Sequence, residues 1–145
     1  MMTIAQAALK ENTISEHAPS TDSHSNSLDL AMAAARTAHE NRGQEIVLLD
    51  MRELTPVFDY FLVVTGTSRR QLHAISEEID HRLEDELGDR RMGIEGYRES
   101  RWILLDYGNL VIHLFDQEVR GFYALEELWS GAKRVPLPWD EQPEA

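Results

Sequence analysis

The sequence predicts an α/β domain in which a mixed β-sheet is packed with helices. Three observations predict it. Short apolar runs of strand length, such as DYFLVVTG and LVIHLF, are interleaved with segments whose apolar residues recur every three or four positions. Glycine, proline or asparagine punctuates most of the junctions between them. The 145 residues carry no long repeat and are enough for one core.

Residues 1–27 read as a polar tail, rich in Ser, Thr and Asn, with Pro19 and little apolar periodicity. A targeting presequence is not expected there, because the segment lacks arginine and carries Glu11, Glu16 and Asp22. The domain is expected over residues 28–135. Residues 28–43 predict a first helix, with Ser27 as its cap and Gly43 as its stop. QEIVLLDMR predicts a strand that Thr55 and Pro56 separate from the next, DYFLVVTG. In the second helix Leu72, Ile75, Ile79, Leu83 and Leu87 step by three and four, while Glu77, Glu78, Asp80 and Glu84 face water. Ser68 caps its start and Gly88 its end. MGIEGY predicts a short strand. WILLDY and LVIHLF predict two more, and Asp116 caps a last helix that stops at Gly131. PLPWDEQPEA, residues 136–145, reads as a flexible acidic tail.

WILLDYGNLVIHLF is the most informative stretch. Gly-Asn between two apolar runs signals a two-residue hairpin loop. A loop at Gly108-Asn109 sets Tyr107 opposite Leu110, Leu105 opposite Ile112 and Ile103 opposite Leu114. One face then holds Ile103, Leu105, Tyr107, Leu110, Ile112 and Leu114, the side that helices must cover. The other holds Trp102, Leu104, Asp106, Val111, His113 and Phe115. A sealed layer disfavours an unpaired acid, and a plain solvent face disfavours Trp and Phe. This mixed composition suits a docking surface; a further covering segment, with Asp106 hydrogen-bonded at its rim, accounts for it as well. Glu95 and Tyr97 in IEGY adjoin the hairpin in sequence and extend the candidate surface.

The totals narrow the function. Without cysteine there are no disulfides, thiolate zinc sites or thiol chemistry. No apolar run reaches the length of a membrane span. The formal net charge of -12 disfavours direct contact with nucleic acid and favours basic protein surfaces, and it also serves plain solubility. From Ser76 to Ser100 nine acids stand against four bases, which concentrates the negative charge on one segment.

Gly66-Thr67-Ser68 poses a question of chemistry, because a strand that turns through small residues into a helix can hold a phosphate. The corner resembles that of the nucleotidyltransferase fold, whose chemistry also needs two or three strand carboxylates to bind magnesium. Here Asp50, Asp59 and Asp106 occur singly, and no Walker or dinucleotide motif is present. The corner therefore reads as a turn with a helix cap, with a nucleotide-binding or nucleotidyltransferase-like enzyme as the alternative. The histidines give no His-Glu-x-x-His spacing, and neither catalytic residues, nor metal ligands, nor cofactors are expected. His113 is expected to make a polar contact beside Trp102.

DYFLVVTGTSRRQLHAIS, GIEGYRESRWILLDYGNLVIHLF and RGFYALEELW together resemble the ribosomal silencing factor family, also called Iojap-like proteins. The resemblance runs from about residue 28 to 129 in the family's order and spacing. It implies a fold like that of nucleotidyltransferases without their catalytic acids, and a cytoplasmic, non-enzymatic translational repressor. It further implies binding to the large ribosomal subunit through that subunit's fourteenth protein, which hinders joining of the small subunit when nutrients are short. The resemblance also implies a role in large-subunit biogenesis and, as for some members of the family, a homodimeric state. Trp102 matches the tryptophan that opens the family's WILLDYG block and carries over as a partner contact. Leu104, Asp106, His113, Phe115, Glu95 and Tyr97 are its candidate companions. Phe122, Leu125, Leu128 and Trp129 fit a helix packed on the sheet.

Overall fold

The computed structural model describes residues 23–98, 101–119 and 131–141. Helix α1, Ser23–Glu40, begins five residues ahead of the predicted start. Ala31, Ala34, Ala35 and Ala38 recur on one face, and their small side chains let the backbone lie close on the sheet. Ser27, expected as the cap, is buried within the helix, so packing overrides its capping preference. Strands β1, Gln44–Asp50, and β2, Tyr60–Gly66, are antiparallel neighbours. Helix α2, Arg69–Asp80, continues as a π-helical segment, His81–Glu86. Gly88 then ends it with φ +75, and the Asp89 N–H bonds back to the Leu83 carbonyl.

Strands β3, Gly93–Glu95, β4, Trp102–Asp106, and β5, Leu110–Asp116, form an antiparallel run. A two-residue strand β6, Lys133–Arg134, and a 3-10 turn, Pro138–Glu141, close the described chain. The sheet order is β3-β4-β5-β2-β1-β6, and β2–β5 is its parallel pair. The sheet is therefore mixed, as the alternation of elements predicts.

Side chains alternate between two layers. Ile46, Leu48, Tyr60, Leu62, Val64, Ile103, Leu105, Leu110, Ile112 and Leu114 meet α1 and α2 in one core. Val47, Leu49, Phe61, Val63, Leu104, Val111 and Phe115 form a second core on the opposite face. Met51 and Phe58, from the loop between β1 and β2, are buried in that second layer, and Val57, Val119 and Ala132 pack against it. The expected flexible tail from residue 136 differs from the structure: Leu137 is buried in the first core, and Trp139 stacks on His39 at 4.0 Å. A short proline-flanked segment has too little periodicity to announce such docking. Of the last helix, only the opening turn falls on described residues. There the Asp116 carboxylate accepts the Val119 N–H at 2.9 Å, as a cap does; Phe122, Leu125, Leu128 and Trp129 lie outside the described residues.

Candidate functional site

The β4–β5 hairpin pairs in the register the sequence predicts, with Ile103 opposite Leu114 and Leu105 opposite Ile112. The Tyr107 N–H donates to the Leu110 carbonyl at 2.9 Å, and Gly108 takes φ +87 in the loop. Asp106 holds that loop from the strand end, its carboxylate accepting the Gly108 N–H at 2.8 Å. Burial pushes the Asp106 carboxyl up from its ordinary pKa, against the pull of that hydrogen bond.

The mixed face is not the open surface expected of it. Leu104, Asp106, His113 and Phe115 are 1%, 4%, 0% and 0% exposed, so they cannot meet a partner directly. Met51, expected at the end of the first strand but lying just beyond it, and Val57 and Phe58, from the stretch expected to separate the two strands, contribute apolar side chains to the same layer. Among the described residues the Asp106 carboxylate serves the turn and forms no ion pair.

Trp102 stands apart, since it is only partly buried at the edge of the second core. Its indole N–H donates to His113 Nδ1 at 3.1 Å, and its ring meets Phe115 edge-on at 4.7 Å. His113 stacks on Phe61 at 4.5 Å, and its Nε2 is buried with no hydrogen-bond partner among the described residues. Burial lowers the His113 pKa to about 3, so the ring is neutral at physiological pH. Arg101 brackets the same end of the hairpin, donating to Asp116 at 2.8 Å and to Glu118 at 2.5 Å.

The two remaining candidates part company. Glu95 pairs with Leu104, hence shares the Trp102 face, and it is partly exposed. Tyr97 packs on the helix side instead, its ring stacked on His73 at 4.1 Å and its hydroxyl donating to Glu77 at 2.5 Å. Between α2 and β3, Tyr97 borders a cleft of about 570 Å³ with Ser76, Glu77, Asp80, Arg91 and Arg98. Two of its charges pair with each other, Arg91 with Asp80, and Asp80 also accepts the Tyr107 hydroxyl.

The corner at Gly66-Thr67-Ser68 is built as a cap. Ser68 Oγ accepts the Gln71 N–H at 3.1 Å, and Gln71 Oε1 accepts the Thr67 N–H at 2.6 Å and its hydroxyl at 3.1 Å. Gln71 Nε2 donates onward to the Asn41 and Arg42 carbonyls, tying the corner to the end of α1. The Ser-x-x-Gln spacing of a capping box was the available sequence signal for this arrangement. A Cβ on Gly66 would come 2.6 Å from Leu72, so the residue there serves the packing of strand against helix. Among the described residues, no three His, Cys, Asp or Glu side chains lie where they could hold a metal ion, and no helix is long and apolar enough to cross a membrane.

The family described as "Ribosomal silencing factor during starvation" matches residues 24–145. The chain belongs to the ribosomal silencing factor family. The Bacillus subtilis ribosomal silencing factor is 38% identical over 112 residues, covering 77% of this chain and 94% of that protein. The chloroplastic Iojap protein of Zea mays is 31% identical, covering 83% of this chain and 52% of that one. Among solved structures, a Chromobacterium violaceum protein superposes with a TM-score of 0.68 at 31% identity, covering 77% of this chain and 91% of its own. One from Bacillus halodurans gives 0.66 at 32% identity, covering 76% and 99%. The family is named for silencing and not for a reaction, which agrees with a corner built as a helix cap.

Proposed function

We propose that the protein is a cytoplasmic, non-enzymatic translational repressor. It docks on the large ribosomal subunit through that subunit's fourteenth protein and thereby hinders joining of the small subunit. The observation that carries this reading is Trp102, a partly exposed residue at the edge of the second core whose indole N–H is held by His113. Membership of a family named for ribosomal silencing supports the class of partner. Aromatic side chains held in this way are what interface anchors are made of. The net charge of -12 supports a basic protein as the contact and disfavours bare ribosomal RNA. Glu95 flanks the anchor on the same face, while His113 and Phe115 hold its ring. Purified large subunits provide the test by co-sedimentation. Truncating a central aromatic anchor typically costs ≥2 kcal/mol, so Trp102→Ala weakens binding about 30-fold or more. Undiminished co-sedimentation by a folded Trp102→Ala protein removes this contact from the reading.

A further inference from the structure

Two features of His113 need a reason beyond packing. His113 is itself fully buried on the side of the second core, stacked on Phe61 and tilted against Phe115, among surroundings that are mostly apolar. The imidazole leaves Nε2 buried and, among the described residues, unpartnered, which is a cost an apolar residue avoids. What the imidazole provides in return is one acceptor, Nδ1, 3.1 Å from the indole nitrogen of Trp102. An indole N–H only donates, so Nδ1 must be unprotonated and the neutral ring carries its hydrogen on Nε2. The two strands make this pairing possible, since Trp102 lies opposite Phe115 and His113 opposite Leu104. The indole is thereby gripped from two directions, by the Nδ1 acceptor and by the edge-on ring of Phe115 at 4.7 Å.

We propose that His113 is a positioning residue: from inside the closed layer it accepts the indole N–H of Trp102 and fixes that ring in the orientation it presents to a partner. The inference rests on the reading of Trp102 as the docking anchor. Fixing the anchor before the encounter lowers the ordering cost of binding.

The test joins a spectroscopic and a binding measurement. In the nitrogen–proton spectrum of the full chain, the Trp102 indole signal is assigned by its absence in Trp102→Phe. That signal is expected to be displaced by its imidazole acceptor and slow to exchange with solvent. His113→Phe keeps the stack on Phe61 but removes the acceptor; it should return the signal to the position of an unbonded indole and weaken co-sedimentation with large subunits roughly 3- to 10-fold. His113→Asn offers an amide oxygen near the place of Nδ1 and should restore much of both. In the Trp102→Phe background, His113→Phe should bring no further loss of binding. A wild-type indole signal in His113→Phe overturns the proposal, as does equal weakening by His113→Phe with and without Trp102. Should His113→Phe fail to fold, the imidazole nitrogens of the native protein decide: a protonated Nδ1 refutes the assignment, and a protonated Nε2 upholds it. If Trp102→Phe leaves binding intact, the anchor reading fails, while the indole signal still reports whether His113 holds the ring.

Discussion

At the scale of single residues, His113 carries the clearest pH consequence. An unfolded imidazole titrates near 6.5, and in the folded protein burial lowers that to about 3. Above pH 6.5 neither state binds the proton and this group adds no slope. As pH falls below 6.5 the unfolded chain takes up the proton and the folded chain does not. Stability then declines by up to about 1.4 kcal/mol per pH unit until roughly pH 3, where the folded ring also protonates. Asp106, whose pKa burial raises, acts in the opposite sense at the acid end, so the comparison must isolate the histidine. Urea midpoints between pH 7 and pH 5 should fall more steeply for the native chain than for His113→Asn. Parallel curves would mean that the imidazole is not held neutral by its surroundings. The site was only partly legible at this scale. Trp102 stood out as a large aromatic beside an acid and an imidazole, and His113 was placed next to it by the predicted hairpin register. That Leu104 and Phe115 are sealed was not legible, because the layer includes Phe58, from a stretch without periodicity, and Met51, which lies beyond the end of the strand it was expected to finish.

At the scale of elements, the turn between β3 and β4 sets where Trp102 begins. Gly96 has φ +77, and a Cβ there would lie 2.0 Å from the Trp102 carbonyl oxygen. Both the backbone conformation and the close approach exclude a side chain. Gly96→Ala should therefore cost about 2 kcal/mol or more, read as a lowered denaturation midpoint, and weaken large-subunit binding by displacing the start of β4. A midpoint within about 0.5 kcal/mol of the native value would show that the turn accommodates the methyl group. The hairpin was fully legible because a two-residue loop and an alternating pattern leave one register, and a one-residue slip would turn every side chain over. Helix α2 and its π-helical continuation were legible from the stripe of Leu72, Ile75, Ile79 and Leu83, all buried; Leu87, expected in the same stripe, falls past the end of the segment and is exposed. Strand β6, Lys133–Arg134, was not, since two charged residues at a sheet edge carry no pattern; they are recruited by pairing with Leu49 and Asp50. The docking of Leu137 and Trp139 was hidden for a similar reason: each finds its partner far away in sequence, at the first core and at His39.

At the scale of the whole molecule, charge governs the approach to a partner. A net charge of -12 meeting a basic surface accelerates encounter, and salt screens that acceleration. Raising salt from about 50 to about 300 mM should slow association with large subunits roughly 10-fold, with a smaller change in dissociation. An association rate indifferent to salt would place the contact on a neutral surface. The architecture has a second consequence. β2 and β5 are parallel neighbours in the middle of the sheet, although α2, β3 and β4 separate them in the chain. Emerging from the exit tunnel, the first two strands have a partner on one flank only. Their central edge, with Phe61 and Val63 on one side and Leu62 and Val64 on the other, awaits a strand not yet synthesised. Folding must close this seam by a long-range encounter, and until it closes a nascent chain presents a sticky, half-finished ribbon to its neighbours.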